Sequence, residues 1–152
     1  MKVVEFGQIG AYVTAANEPV LQAGERVIGF RQLEYRVLRA GLLRSPLTDE
    51  RGGWVWQTTM RVIHLDDNWE ELPTGARGKR VHEYALEEVL EIAERNRQVL
   101  VTVGGPQGKV LFAYSPLGAA SRLFNWLKRE REERRLARGE VEQPYGKGKP
   151  PG

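Results

Sequence analysis

"FRQLEYRVLRAG", residues 30–41, carries two incompatible periodicities. Phe30, Leu33, Val37 and Ala40 recur at helical spacing, and Gly41 stands where a helix C-cap would. Leu33, Tyr35 and Val37 also alternate with polar residues, as one face of a strand does. Of the two, the helical reading is adopted. Downstream, "TDERGG" (48–53) reads as a turn and "GWVWQTTMRVIHL" (53–65) as one long strand. Its Trp54, Trp56, Met60 and Val62 share one face, and Val55, Gln57, Thr59 and Arg61 share the other. "DDNWEELPTGARGKR" (66–80) is a polar loop.

"ALEEVLEIAERNR" (85–97) predicts an amphipathic helix with Leu86, Val89, Leu90 and Ala93 as its apolar stripe. Glu87 and Glu88 near its start and Arg95 and Arg97 near its end suit the helix dipole. "VLVTVGGPQGKVLFAY" (99–114) predicts a hairpin, with Val99, Val101 and Val103 facing one way. Ser115 then offers an N-cap and Pro116 a first helical residue for a helix running to about Arg138, with Gly139 just past its end. Upstream, "KVVEF" (2–6) and "AYVTA" (11–15) read as strands around a turn at 7–10, and "NEPVLQAGE" (17–25) as a loop. The expected class is α+β: a small, mostly antiparallel sheet with two main helices, 85–97 and 116–138, and a C-terminal tail of disordered-type composition. Residues 1–127 are expected to form the compact domain, and 128–152 a projecting helix end and tail.

One segment resembles a known architecture. "LEYRVLRAGLLRSPLTDERGGWVWQTT" (33–59) is similar to the second half of a winged-helix DNA-binding unit. The recognition helix would span 31–40, the strands 42–47 and 54–63, and the wing "TDERGG". That family carries two helices upstream, where residues 1–29 here read mostly as strands and loops. The resemblance implies that Arg31, Arg36 and Arg39 face the DNA groove and that Arg51 lies in the wing.

The 152 residues suit one domain with at most a short appendage, and 41% hydrophobic content permits a true core. The absence of Cys removes disulfides, thiolate metal sites and a Cys nucleophile together. No apolar run approaches the ~20 residues that span a bilayer, and the N-terminus lacks a signal-peptide core. A cytoplasmic protein without a membrane partner is expected, or a virion protein if it is a structural subunit. Arg outnumbers Lys 17 to 6, a bias of GC-rich or thermophilic sources. The net charge is +3, and residues 128–152, with eight basic and five acidic side chains, hold all of it.

Catalytic signatures are missing: there is no P-loop, GxGxxG after a strand, HExxH or GxSxG. "HLDDNWEE" clusters His64, Asp66, Asp67, Glu70 and Glu71, at a density of oxygens that hard cations use. The stretch lacks the EF-hand spacing and its glycine, so a solvated acidic loop is the plainer expectation. His64 and His82 are the only imidazoles available as general bases. "GARGKR" (75–80) offers Arg77, Lys79 and Arg80 as phosphate contacts on a flexible loop. No cofactor is implied.

In the last helix, Ala120, Leu123, Phe124 and Leu127 fix one face on the core, and Trp126 lies off that stripe, as a partner contact or a second-face packing residue. Beyond Leu127 the stripe gives way to Lys128, Arg129, Arg131, Arg134, Arg135 and Arg138, interleaved with Glu130, Glu132 and Glu133. Glu130 and Arg134 have the favourable i,i+4 order. The glutamates would repel phosphate, so a protein partner or a second copy suits this arm better than a duplex. Tyr145, Lys147 and Lys149 would be tail contacts. The function expected is a non-enzymatic interaction protein that docks on a larger complex, of the kind a phage encodes to regulate transcription or nucleic-acid processing. The alternatives are a virion or filament subunit and a winged-helix-like DNA-binding protein.

Overall fold

The computed structural model describes residues 2–5, 18–39, 49–71, 73–75, 77–105, 108–137 and 139. Among these, nine strands form one antiparallel sheet: β1 (Lys2–Glu5), β2 (Val27–Arg39), β3 (Asp49–Thr58), β4 (Arg61–Asp66), β5 (Glu70–Glu71), β6 (Arg77–Ala85), β7 (Val89–Arg95), β8 (Gln98–Gly105) and β9 (Gly108–Ser115). Two short helices follow, α1 (Leu117–Leu123) and α2 (Asn125–Ala137). The strand order is β1-β6-β4-β3-β2-β9-β8-β7, with β5 beside β6.

The expected α+β architecture is therefore corrected to a sheet that dominates the fold, with α-helix confined, among the described residues, to the C-terminal pair. Of the expected helix 30–41, residues 30–39 are strand, and 40–41 lie outside the described residues. The alternation wins: Leu33, Tyr35 and Val37 are buried, while Phe30, Gln32 and Glu34 point outward. Residues 85–97 are not a helix either. A 3₁₀ turn, Leu86–Glu88, leads into β7. Val89 pairs with Val103 and Ile92 with Val101, so β-branched residues meet across the ladder. Asn96 and Arg97 have φ of 54° and 62°, the two left-handed residues of a type I′ hairpin turn between the paired Arg95 and Gln98.

The single strand expected at 53–65 is a hairpin, β3–β4, that turns at Thr59 and Met60. Trp54, Trp56, Ile63 and Leu65 lie on its outer face, and Val55, Val62 and His64 on its inner face. Residues 49–53 belong to β3 rather than to a turn, and Arg77, Lys79 and Arg80 sit on β6 rather than in a loop. The winged-helix arrangement is thus excluded: its recognition helix is strand β2, and alternation sends Arg31 and Arg36 to opposite faces. The strands expected at 11–15 and 42–47 and the tail beyond Gly139 lie outside the described residues.

The 99–114 hairpin is present as β8–β9, with Val99, Val101 and Val103 buried. The last helix starts at Leu117 with Pro116 as its N-cap, and it breaks at Phe124. β2 pairs with β3 along its length and with β9 only over residues 34–39, so it joins the two halves of the sheet. The halves share one core, in which Leu33, Tyr35, Val55, Val62 and Tyr84 meet Val99, Val101, Phe112 and Tyr114. Ala120, Leu123, Phe124 and Leu127 close it, with Phe124 4.5 Å from the Tyr114 ring. A second cluster, Trp56, Ile63, Leu65 and Val81, lies on the outer face of β3, β4 and β6.

Candidate functional site

The two histidines face the core from adjacent strands, since His64 of β4 pairs with His82 of β6. His64 is fully buried and stacks on Phe112 and Tyr114 at 5.0 and 5.5 Å. Its Nδ1 lies 2.7 Å from the His82 carbonyl oxygen, which can only accept, so Nδ1 carries the proton. Its Nε2, 2.6 Å from the Tyr114 hydroxyl, then accepts. Tyr84 completes the chain by donating to Tyr114 at 2.8 Å. Burial pushes the His64 imidazole down to about 3 and drives the Tyr84 and Tyr114 phenols up. With both nitrogens engaged away from solvent, this is a polar network inside the core, without access for a substrate.

The acidic stretch is taken up by neighbouring donors, with Asp66 and Glu70 sharing Arg51. Asp66 accepts from Tyr35 Oη at 2.5 Å and from Arg51 at 2.6 Å. Burial raises its carboxyl, and these two bonds oppose the rise. Glu70 lies between Arg80 and Arg51, both at 3.0 Å, and Arg80 foremost lowers its pKa. Asp67 accepts from Gln32 at 2.5 Å, and Glu71 is exposed opposite Arg77. No group of three or more possible metal ligands exists among the described residues. Lys79 sits 5.2 Å above the Trp69 ring. Arg36 is half-buried, and Arg39 closes β2. A further network ties the turn before β2 to β4. Arg61 donates to Glu25 at 2.8 and 2.9 Å and to Glu83 at 2.8 Å, and Thr58 donates to Glu25 at 2.5 Å. Burial alone would raise the Glu25 carboxyl, but the bonds from Arg61, the Gln22 amide and Thr58 hold it at about 2.

Much of the charge on α2 is occupied. Lys128 pairs with Glu94 of β7 at 2.7 Å, and Arg131 donates to the Val89 and Leu90 carbonyls. The expected Glu130–Arg134 pair is present at 3.4 Å, and Arg135 pairs with Glu132 at 2.8 Å. Arg138, Tyr145, Lys147 and Lys149 lie outside the described side chains.

Trp126 and Arg129 belong to a different feature. They line an open groove of about 730 Å³ together with residues 28–32, Trp54, Arg122 and Asn125. On the sheet side, Phe30 is 54% exposed and Trp54 38%, with ring centres 5.7 Å apart. Phe30 stacks on the buried Trp56 at 6.0 Å and Trp54 meets it in a tilted contact at 6.2 Å, so the three rings form one aromatic wall. On the helix side Trp126 is half-buried against the core. Arg31, Arg122 and Arg129 are exposed, and among the described residues they form no ion pair and no carboxylate lines the groove. Trp126 and Arg129 were accessible to sequence reasoning as off-stripe residues of a helix. Phe30 and Trp54 were not, and Arg31 was marked only for a DNA groove, because their common edge exists only when 30–39 is a strand.

No family model matches the chain, and no curated protein matches it. Among solved structures it is similar to the Vps36 N-terminal PH domain, with 17% identity, a TM-score of 0.44, and coverage of 77% of this chain and 92% of that one. No helix among the described residues is long and apolar enough to cross a membrane.

Proposed function

We propose that this protein is a non-enzymatic interaction module that docks on a larger complex by taking a segment of a partner protein into the groove between β2–β3 and α1–α2. The carrying observation is the combination of a solvent-exposed aromatic wall with three arginines that have no ion-pair partner among the described residues. Large aromatics packed against their neighbours, beside arginines, are the composition from which binding hot spots are built. Lys128, Arg131, Arg134 and Arg135 serve α2 itself through their ion pairs and hydrogen bonds, so docking centres on Trp126 and Arg129 at the start of the arm. The imidazoles offer no competing catalytic reading, because His64 is sealed in the core and His82 is buried beside it.

The test is selection of peptides from a random display library on the immobilised chain. The selected peptides are then titrated against Trp54→Ala, Trp126→Ala and, as a distant control, Arg95→Ala. Enriched peptides that lose at least tenfold in affinity with either Trp variant, and keep it with the control, support the groove. Failure to enrich any peptide, or enrichment of peptides indifferent to both Trp variants, overturns it. A gel shift with a 30-nucleotide single strand accompanies the test, and a groove-dependent shift would replace the protein partner with nucleic acid.

A further inference from the structure

β2 carries an edge that the sheet leaves open. It pairs with β9 over residues 34–39, and on that side residues 27–33 have no strand partner among the described residues. The cause lies in the chain that follows β9. After Ser115 and Pro116 it enters α1, which packs on β2 at Gly29, where a Cβ would sit 3.6 Å from Leu123 Cδ1. Beside that contact the groove opens along residues 28–32. Backbone N–H and C=O groups of a strand point alternately to its two sides. Those of residues 28–32 that turn from β3 face the groove.

We infer that the groove takes an extended acidic segment of a partner protein, added as a further strand to this edge of β2. This rests on the groove being the docking site, and it specifies the occupant and its conformation. An edge that alternates donors with acceptors is matched by another polypeptide strand, which also alternates them. A DNA backbone offers acceptors only and leaves the edge carbonyls unmatched, and in RNA the 2′-hydroxyl donors do not alternate with acceptors at strand spacing. Five residues of added strand span about 17 Å. Alternate side chains of the added strand reach the Phe30–Trp54 wall, and carboxylates at the intervening positions meet Arg31, Arg122 and Arg129.

The probes are three synthetic eight-residue peptides: one alternating Glu with Tyr or Leu, its Lys counterpart, and the acidic peptide with Pro at two internal Leu or Tyr positions. Amide hydrogen exchange and chemical-shift perturbation are followed on the full chain. Expected are binding of the acidic peptide, new protection of amides within residues 28–32, at least tenfold weaker binding of the other two peptides, and at least a tenfold loss with Arg122→Glu. Equal binding of the Lys counterpart, or of the Pro-interrupted peptide, overturns the inference. So does protection of 28–32 that rises with protein concentration alone, because the occupant would then be a second copy. Should display-selected peptides bind through Trp54 and Trp126 while the acidic probe does not bind, the docking groove stands and the acidic strand falls. Peptides that bypass both Trp residues remove both.

Discussion

His64 sets how this core responds to acid. Its imidazole is held neutral at about 3 by burial, whereas in the unfolded chain it titrates near 6.5. Between those values the unfolded state binds the proton and the native state does not, so stability rises with pH across the window. It is fully present above pH 6.5 and is lost as pH falls, with a slope of up to about 1.4 kcal/mol per pH unit from this one group. Glu25 acts lower, since its carboxyl is depressed from 4.5 to about 2, and its contribution is lost as pH falls through that range. Urea denaturation at pH 7, 6, 5 and 4 should show the decline, and His64→Gln should flatten it above pH 4.5. At Gly53 the constraint is steric: a Cβ there would lie 2.1 Å from the Leu65 carbonyl oxygen across the β3–β4 ladder. Gly53→Ala should destabilise by about 1–3 kcal/mol, measured by the same denaturation.

At the scale of elements, the hairpin 99–114 was legible because Val99, Val101 and Val103 alternate and a Gly-rich turn follows. Residues 85–97 were misread for an identifiable reason. Leu86, Val89, Leu90 and Ala93 satisfy a helical stripe in isolation, and the competing period appears only in pairing with β8. The available local signal was the Asn96–Arg97 pair, which resembles an I′ turn without its usual glycine. Arg97, at φ 62°, bears a steric cost that glycine would not. Arg97→Gly should therefore raise stability by about 0.5–1 kcal/mol in thermal unfolding, a gain that residues 85–97 would not show if they were helical. The same logic governed 30–41, where tertiary pairing with β3 and β9 decided between two periods the segment carries equally.

At the scale of the molecule, the sequence separated charge into a neutral body and a basic end, and the α2 ion pairs then account for much of that end locally. The groove was illegible because it is assembled from strands and helices some ninety residues apart, with Arg31 lining it together with Arg122 and Arg129. Off-stripe Trp126 and Arg129 were the members that the helix itself marked as partner contacts. The most direct measurement on the central claim is a calorimetric charge swap. Wild type and the Arg122→Glu/Arg129→Glu variant, both verified folded by circular dichroism, are titrated with the acidic peptide and its Lys counterpart. The predicted result is that wild type binds the acidic peptide at least tenfold more tightly than the variant does, while the variant prefers the Lys peptide. Affinities equal within twofold across all four titrations would contradict the groove as a site for acidic partners.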